Sequence, residues 1–339
     1  MEASETKTPA APEKKPVSKR TRRRRELLRN WGIFLGACLF VWIIVKIARP
    51  NVNYAIKDKY FHNRKITALG EMTHTDYIED LCDPETGIRT CSVKDLMNGK
   101  VEGVTYNNGL YILNDRYFIQ GEDFSPLLET TTLDGYGEIT MVRGAAEPLK
   151  ELLDAAERET GLRFTLGESF VDGEDESADH GNDCYMLEYY DTSEHITGMS
   201  VDLLIDGYDY RTYMKSPLAK WLQDNAWRFG FTVRYPFWEG EWTGVFFQPW
   251  HLKYVGQPHA AYLYQHRMPL EEYVAKLYDD PKRWYLYDYT DETGNTVTYV
   301  VYKQNIYEGT IYIPDTLVNV EVSFDNTYRY YFVTGILNR

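Results

Sequence analysis

Two histidines and one aspartate in this chain have the residue types and spacing of metal ligands. His195 and Asp202 lie in the segment SEHITGMSVD, and His251 ends the segment QPWH. Imidazole and carboxylate groups are common ligands of zinc, and three protein ligands leave one position open, as in catalytic rather than structural sites. The sequence therefore predicts a Zn²⁺ centre held by His195, Asp202 and His251.

The residue three positions before His251 departs from the chemistry of a zinc peptidase. Such an enzyme needs a carboxylate that takes a proton from the attacking water and passes it to the leaving amine. This chain has Gln248 at that place, and a neutral amide orients water but does not take its proton. In a regular strand Gln248 and His251 would point to opposite faces, so we expect Pro249 to mark a bulge or a strand end.

The elements that must position these residues fall into separate helical and strand runs, which indicates an α+β fold. Leu149, Leu152, Leu153 and Ala156 recur at helical spacing before Gly161, and they predict a helix over 145–160. The other predicted elements are a strand-like run after Gly109 (LYILNDRYFI), a strand at 201–205, a helix from Pro217 to Gly230, strands at 232–235 and 244–254, a helix at 269–278, and nearly continuous strands towards the C-terminus.

Residues 31–48 (WGIFLGACLFVWIIVKIA) are long and apolar enough for one membrane-crossing helix. Ten Lys and Arg residues precede this segment in residues 1–30, whereas only Lys46 and Arg49 lie near its far end. The positive-inside rule then predicts a single-pass protein of the cell membrane, with a cytoplasmic N-terminus and an extracellular C-terminal domain. The alternative is a cleaved signal peptide, but the polar leader is long and no small-residue cleavage site follows.

The chain beyond the apolar segment is strongly acidic. Residues 1–49 contain 12 basic and 4 acidic side chains, so residues 50–339 contain 25 basic and 47 acidic ones, a net charge near −22. Nucleic acids need a basic surface for their phosphates, so this composition argues against a nucleic-acid partner.

The cysteines leave two possibilities open. Cys82 and Cys91 flank a short loop (CDPETGIRTC) and form a candidate disulfide in an oxidising compartment, with a reduced pair as the alternative. Cys184 is then left over. The acidic segment 172–183 predicts a loop, because its Asp and Gly spacing does not match an EF-hand.

Taken together, these segments resemble the VanY-type D-alanyl-D-alanine carboxypeptidases, zinc peptidases of the bacterial cell wall, over roughly residues 110–280. The resemblance is carried by the Asp-Phe-x-Pro-Leu turn at 123–127, the helix at 145–160, SEHITGMSVD, RYP at 234–236, TGVFFQPWHLKYVG, and PLEEY at 269–273.

The resemblance implies a zinc D,D-peptidase-like core, with an antiparallel sheet and flanking helices, that removes the terminal D-Ala from peptidoglycan stem peptides. It places Zn²⁺ on His195, Asp202 and His251, and the D-Ala-D-Ala end of the stem peptide in the adjoining groove. Ser193 is expected to line this groove by hydrogen bonding and Trp250 by packing. The alternative for Trp250 is a core position behind His251.

Two departures from the family pattern leave the activity open. Gln248 stands where the family has its Glu base, and the Arg of a Ser-Gly-Tyr-Arg turn is absent from the aligned segment 166–169. One hypothesis is a membrane-anchored, weakened carboxypeptidase, and the other is a zinc-retaining pseudoenzyme that binds wall peptides or a protein partner. The candidates for a substitute base are Glu168, Glu194, Glu239 and Glu241.

These patterns give one predicted domain map. It consists of a basic cytoplasmic tail (1–30), a transmembrane signal anchor (31–48), a stalk or small subdomain (49–105), a D,D-carboxypeptidase-like domain (106–280) and a C-terminal β-rich extension (281–339).

Overall fold

The computed structural model describes most of the chain in two units that divide between Arg49 and Pro50. The described residues are 19–75, 81, 87–114, 116, 117, 119, 123–171, 193–279, 284–291, 293–306 and 309–338. Cys82, Cys184 and the acidic segment 172–183 lie outside them, so the predictions made for these positions stay predictions.

The first unit contains one helix, α1 (Lys19–Ala48). Its part from Arg23 to Ile44 is long and apolar enough to cross a membrane, and none of it is buried inside the protein. Length and composition of this kind are shared by membrane spans and signal sequences, so they establish an apolar N-terminal helix and no more.

The second unit contains the remaining elements. Its helices are α2 (Pro50–Phe61), α3 (Val93–Met97), α4 (Ala146–Thr160), α5 (Pro217–Asn225), α6 (Gly240–Thr243), α7 (His259–His266) and α8 (Leu270–Asp279). Its strands are β1 (Leu69–Thr75), β2 (Ile88–Ser92), β3 (Val104–Asn107), β4 (Leu128–Leu133), β5 (Gly137–Val142), β6 (Thr165–Leu166), β7 (Ser200–Leu204), β8 (Phe231–Tyr235), β9 (Gln248–Tyr254), β10 (Trp284–Thr290), β11 (Thr296–Asn305), β12 (Thr310–Pro314), β13 (Leu317–Asp325) and β14 (Tyr330–Leu337).

The α+β prediction is confirmed, and a four-stranded antiparallel sheet lies at the centre of the peptidase-like region. Its strand order is β6-β7-β9-β8. Every residue of β9 is buried, and β9 pairs with a strand on each side. The predicted helix at 145–160 is confirmed as α4, whose apolar stripe packs into the core and whose end at Gly161 uses a left-handed backbone conformation.

The C-terminal strands build a second, larger sheet with the order β1-β10-β11-β14-β13-β3. Both edge strands, β1 and β3, come from the chain before the peptidase-like region, and β3 pairs with β13 in parallel. Segments 49–105 and 281–339 are therefore linked by backbone hydrogen bonds. The exact domain boundaries stay a prediction.

The strand-like run predicted after Gly109 is wrong for the residues that the structure describes there. Residues 111–113 are irregular, although Leu110, Tyr111, Ile112 and Leu113 are all buried. Two of their backbone amides donate to side chains rather than to a strand: Leu110 N donates to Ser323 Oγ at 2.9 Å, and Ile112 N donates to Asn326 Oδ1 at 2.8 Å. The apolar pattern correctly indicated that these residues are buried. Side chains far away in the sequence, rather than a neighbouring strand, accept hydrogen bonds from the amides of Leu110 and Ile112.

His259 is a buried imidazole at the start of α7, where it joins the helices to the large sheet. Its Nδ1 lies 2.8 Å from Tyr273 Oη, and its Nε2 lies 2.9 Å from Thr334 Oγ1. Both partners are hydroxyls, and Tyr273 is the titratable group that faces the ring. Burial disfavours the charged imidazolium and lowers the pKa of His259 to about 3.

We expect His259 to make the protein less stable in acid. The unfolded chain takes up a proton below about pH 6.5 and the folded chain does not, so the free energy of unfolding falls as pH drops from about 6.5 towards about 3. The slope from this group is about 1.4 kcal/mol per pH unit. Urea unfolding at several pH values, with chelator present throughout, should show a shallower acid slope for His259→Gln. Equal slopes would contradict this assignment.

Candidate metal centre

Two of the three predicted ligands are fixed by strand pairing. Asp202 on β7 and His251 on β9 are direct cross-strand partners in the four-stranded sheet. Paired residues on adjacent strands point to the same face with their Cβ atoms about 5 Å apart. The register therefore brings together a carboxylate and an imidazole that lie far apart in the sequence.

His195 reaches the same place from a short 3₁₀ helix that precedes β7. This helix (Glu194–Thr197) ends at Gly198, which has φ 65°, and Gly198 O accepts a hydrogen bond from Val142 N at 2.9 Å. A Cβ at Gly198 would overlap Leu128 Cδ2. A side chain there would meet both strain and a clash, so the glycine permits the sharp turn that presents His195 to the sheet.

The side-chain atoms of the trio converge closely enough to hold one metal ion. His251 Nδ1 lies 2.9 Å and His195 Nε2 lies 3.5 Å from Asp202 Oδ1, and the ligand atoms all lie within 4.8 Å of one another. Tetrahedral zinc with bonds of about 2.0–2.1 Å holds its ligand atoms about 3.3 Å apart. The spacing and the donor set therefore fit zinc, and both histidines are buried.

Neighbouring groups determine which nitrogen of each histidine is available. His195 Nδ1 lies 2.9 Å from Ser169 O, and a carbonyl accepts only from a protonated nitrogen, so Nε2 is the nitrogen of this ring that could bind a metal. His251 Nε2 lies 3.8 Å from Glu194 Oε2, while its Nδ1 faces Asp202. This arrangement selects opposite nitrogens of the two rings.

Asp202 is held in the charged form that a metal ligand requires. Burial raises the pKa of this carboxyl, but the hydrogen bonds and charges of His195 and His251 outweigh burial and hold the pKa below its usual range. The Asp202 carboxylate is therefore ionised across the neutral pH range.

A buried network of four charged residues lies behind the trio, and the sequence analysis did not predict it. Arg234 Nε donates to Glu194 Oε1 at 2.7 Å, and Lys253 Nζ donates to the same oxygen at 2.9 Å. Arg234 also donates two hydrogen bonds, of 3.0 and 2.7 Å, to the Glu271 carboxylate. The signal in the sequence was available, because Arg234 and Lys253 interrupt the otherwise apolar strands FTVRY and HLKY.

The negative charges of Glu194 and Glu271 in this network are balanced by the positive charges of Arg234 and Lys253. Burial raises the pKa of Glu194, but Arg234, Lys253 and His251 bring that pKa well below its usual value. Burial likewise opposes the charge of Arg234, and its two carboxylate partners hold its pKa well above the usual value. Glu194 thereby stays an anion, and its Oε2 lies 3.8 Å from His251 Nε2.

The structure accounts for the position of Gln248 at the start of β9. Val233 pairs with Leu252, but Tyr235 pairs with Gln248, so β9 has two extra residues between these pairs. The predicted irregularity around Pro249 is confirmed, and Pro249 O accepts a hydrogen bond from Gln223 Nε2 at 2.9 Å. Gln248 is buried beside Tyr235 and brings no carboxylate to the centre.

The other predicted site residues have different surroundings. Trp250 is buried in the core and packs edge to face on Tyr213 at 5.8 Å, and Ser193 is half-buried before the 3₁₀ helix. Their contacts with substrate stay predictions. Cys91 Sγ lies 3.8 Å from Ile311 O, and the predicted bridge to Cys82 stays a prediction because Cys82 is outside the described residues.

Comparison with known proteins identifies the region that holds the trio. The family model described as D-alanyl-D-alanine carboxypeptidase (VanY) matches residues 187–257. The chain is 28% identical over 191 residues to a D-alanyl-D-alanine carboxypeptidase of Enterococcus faecium, covering 53% of this chain and 61% of that protein. It is 42% identical over 83 residues to a D-alanyl-D-alanine carboxypeptidase of Enterococcus faecalis, covering 24% of this chain and 30% of that protein.

These matches are partial, since the chain spans about three fifths of the first relative and less than a third of the second. Among solved structures, the vancomycin-resistance D,D-dipeptidase VanXYg, in complex with a D-Ala-D-Ala phosphinate analogue, covers 74% of this chain and 99% of its own. Its TM-score is 0.57 at 21% identity, which shows a shared fold. The resemblance to the VanY-type family is confirmed.

Proposed function

We propose that this chain, whose central region is of the VanY type, is a membrane-anchored zinc D-alanyl-D-alanine carboxypeptidase acting on peptidoglycan stem peptides. The observation that carries the proposal is the convergence of His195 Nε2, Asp202 Oδ1 and His251 Nδ1 on one point. Three protein ligands leave a position for substrate, which distinguishes catalytic from structural zinc sites.

Zinc bound by the trio would supply Lewis-acid chemistry, polarising the scissile carbonyl and making water more acidic. The chain's own residues supply the rest of the site. Asp202 and His251 hold their geometry through the strand register. Ser169 O accepts a hydrogen bond from His195 Nδ1, and the Glu194 carboxylate lies 3.8 Å from His251 Nε2. A site held this rigidly by buried groups is pre-organised, which lowers the cost of reaching the transition state.

The proposed substrate rests on the central region of the chain, and the proposed location rests on α1. The relatives named above are D-alanyl-D-alanine carboxypeptidases, and the proposed substrate is therefore the D-Ala-D-Ala end of a stem peptide. Helix α1 is proposed to be an uncleaved anchor, with residues 1–30 in the cytoplasm and the acidic domain outside the cell.

A second candidate function is supported by one observation, the glutamine at position 248. An amide cannot take the proton of the attacking water, and losing a general base lowers the rate by about 10²- to 10⁴-fold. Under this alternative the protein keeps zinc and the groove, and it binds wall peptides or a protein partner without hydrolysing them.

The test is D-Ala release from a stem pentapeptide by the full-length protein in detergent or membranes. We expect wild type to release D-Ala, chelator to abolish the release, and Gln248→Glu to release D-Ala at least as fast as wild type, because a carboxylate stands at the family position. The protein should fractionate with membranes, and protease added to intact cells should remove the domain.

The outcome separates the two candidates. Chelator-sensitive release by wild type excludes the binding-only alternative. Zinc and peptide binding without any release by wild type would contradict the carboxypeptidase proposal.

A further inference from the structure

Glu168 lies at the mouth of the metal centre. Its Oε2 is 3.8 Å from His195 Nε2, the nitrogen that faces the metal position, and its side chain is 39% exposed. The ligands themselves are buried or nearly so. Glu168 therefore combines closeness to the centre with access to solvent and substrate, which a group that handles water needs.

The backbone around Glu168 is fixed directly to two of the ligands. Gly167 N donates to Asp202 O at 2.8 Å, and Asp202 N donates to Glu168 O at 2.8 Å. The next residue, Ser169, provides the carbonyl that faces His195 Nδ1. Glu168 thus stands between the two residues that orient Asp202 and His195.

Gly167 makes this close approach possible. A Cβ at this position would lie 3.0 Å from Asp202 Cβ and 3.1 Å from Asp202 O, closer than most real contacts. The glycine therefore lets the segment lie against β7 tightly enough for the following side chain to reach His195.

Among the described residues, one other glutamate is similarly close to a ligand histidine, and it is already engaged. Glu194 Oε2 lies 3.8 Å from His251 Nε2, but this carboxylate is wholly buried and accepts hydrogen bonds from Arg234, Lys253 and Ser200. An anion held by two cations in the core is poorly suited to accept a further proton. Glu168 has no such set of cationic partners in the described part of the chain.

We propose that Glu168 is the carboxylate that accepts the proton of the attacking water, in place of the family glutamate lost at Gln248. The inference rests on the proposed function. One O–H bond of water breaks and its proton moves to Glu168, while the water oxygen bonds to the scissile carbonyl carbon. The C–N bond then breaks, and Glu168 returns the proton to the departing amine nitrogen. The products are the shortened peptide acid and free D-Ala, and Glu168 is again a carboxylate.

The general base is thereby at a different position from that of the family, and it is not absent. In the family pattern the carboxylate comes from the strand that carries His251, three residues before that ligand. Here it comes from the segment after β6, on the side of His195, where the family has its Ser-Gly-Tyr-Arg turn. Relative to the family pattern, this segment lacks the Arg and contains Glu168 instead.

The test compares wild type, Glu168→Gln and Glu138→Gln in the full chain, with a stem pentapeptide as substrate. Glu138 is an exposed glutamate on β5, and its change removes the same charge away from the centre. We expect Glu168→Gln to lower kcat by about 100-fold with KM within about threefold, and Glu138→Gln to match wild type. Adding Gln248→Glu to Glu168→Gln should restore at least about 10-fold of kcat, because a carboxylate returns.

Zinc affinity, measured by competition with a chromogenic chelator, is the second measurement. A base that does not ligate the metal leaves this affinity within about threefold of wild type, whereas loss of a ligand lowers it by more than about 10-fold. Normal turnover of Glu168→Gln, or a large loss of its zinc affinity, would overturn the assignment of Glu168 and leave the proposed function intact. A zinc-loaded wild type without turnover would overturn both.

Discussion

Replacing Asp202 by asparagine is expected to lower the affinity for zinc by more than about 100-fold and to abolish D-Ala release. Changes behind a metal ligand cost about 10- to 100-fold in affinity, so loss of a ligand charge should cost more. Asp202 Oδ1 is the atom that both histidines face, at 2.9 and 3.5 Å. An asparagine keeps the shape of the side chain but supplies no negative charge to the cation.

The control for this prediction is Asp206→Asn. Asp206 lies two residues beyond the end of β7, is exposed, and lies within reach of the Thr165 hydroxyl at 3.4 Å. It should bind zinc and release D-Ala like wild type. Zinc affinity is read by chelator competition and folding by thermal unfolding of the metal-free proteins. An Asp202→Asn protein that folds and binds zinc within about 10-fold of wild type would show that the ligand set is wrong.

Replacing Arg234 by methionine is expected to cause a large loss of stability, because this arginine joins two buried carboxylates. The free energy of unfolding should fall by about 3–5 kcal/mol, because breaking a buried ion pair leaves a charge without compensation. Arg234 is fully buried between Glu194 and Glu271, so the change affects two buried carboxylates. In this variant Lys253 still donates a hydrogen bond to Glu194. Glu271 therefore loses more of its charge compensation than Glu194 does.

Urea unfolding of metal-free protein measures this effect without a contribution from zinc. Arg163→Met is the matched control, since Arg163 pairs with Glu157 at the surface, where both side chains are about half exposed. Solvent screens a pair of that kind, so the control should unfold close to wild type. An Arg234→Met protein as stable as this control would mean that the network adds little to the fold.

The two predictions separate two functions of neighbouring residues. Asp202 and the two histidines are the candidate metal ligands, and their loss should affect metal binding more than folding. Arg234, Glu194 and Glu271 link the strand that bears Arg234, the 3₁₀ helix that bears His195, and α8. Their loss should first weaken folding and only then displace the ligands.

Much of the candidate site could be predicted from the sequence because its chemistry lies in short segments. The types and spacing of His195, Asp202 and His251 indicated a metal without any structure. Gln248 indicated a missing base, and Pro249 indicated the irregularity that β9 has. The helix α4 and the C-terminal strands were predictable because the local spacing of apolar residues is sufficient to indicate them.

The run after Gly109 shows where local pattern failed. Its apolar residues are buried as those of a strand would be, but the amides of Leu110 and Ile112 donate to the side chains of Ser323 and Asn326. Those partners lie more than 200 residues away in the sequence, so no local window contains them. The joining of β1 and β3 to the C-terminal sheet was missed for the same reason.

The sequence by itself indicated which residues could bind a metal and which carboxylate of the family pattern is missing, since both depend on side-chain chemistry at fixed positions. Only the tertiary structure decided how these residues meet. Strand register sets Asp202 opposite His251, and the contact of Gly167 with β7 brings Glu168 to His195. The buried network joins residues 194, 234, 253 and 271, whose pairing depends on packing that brings distant segments together and excludes water.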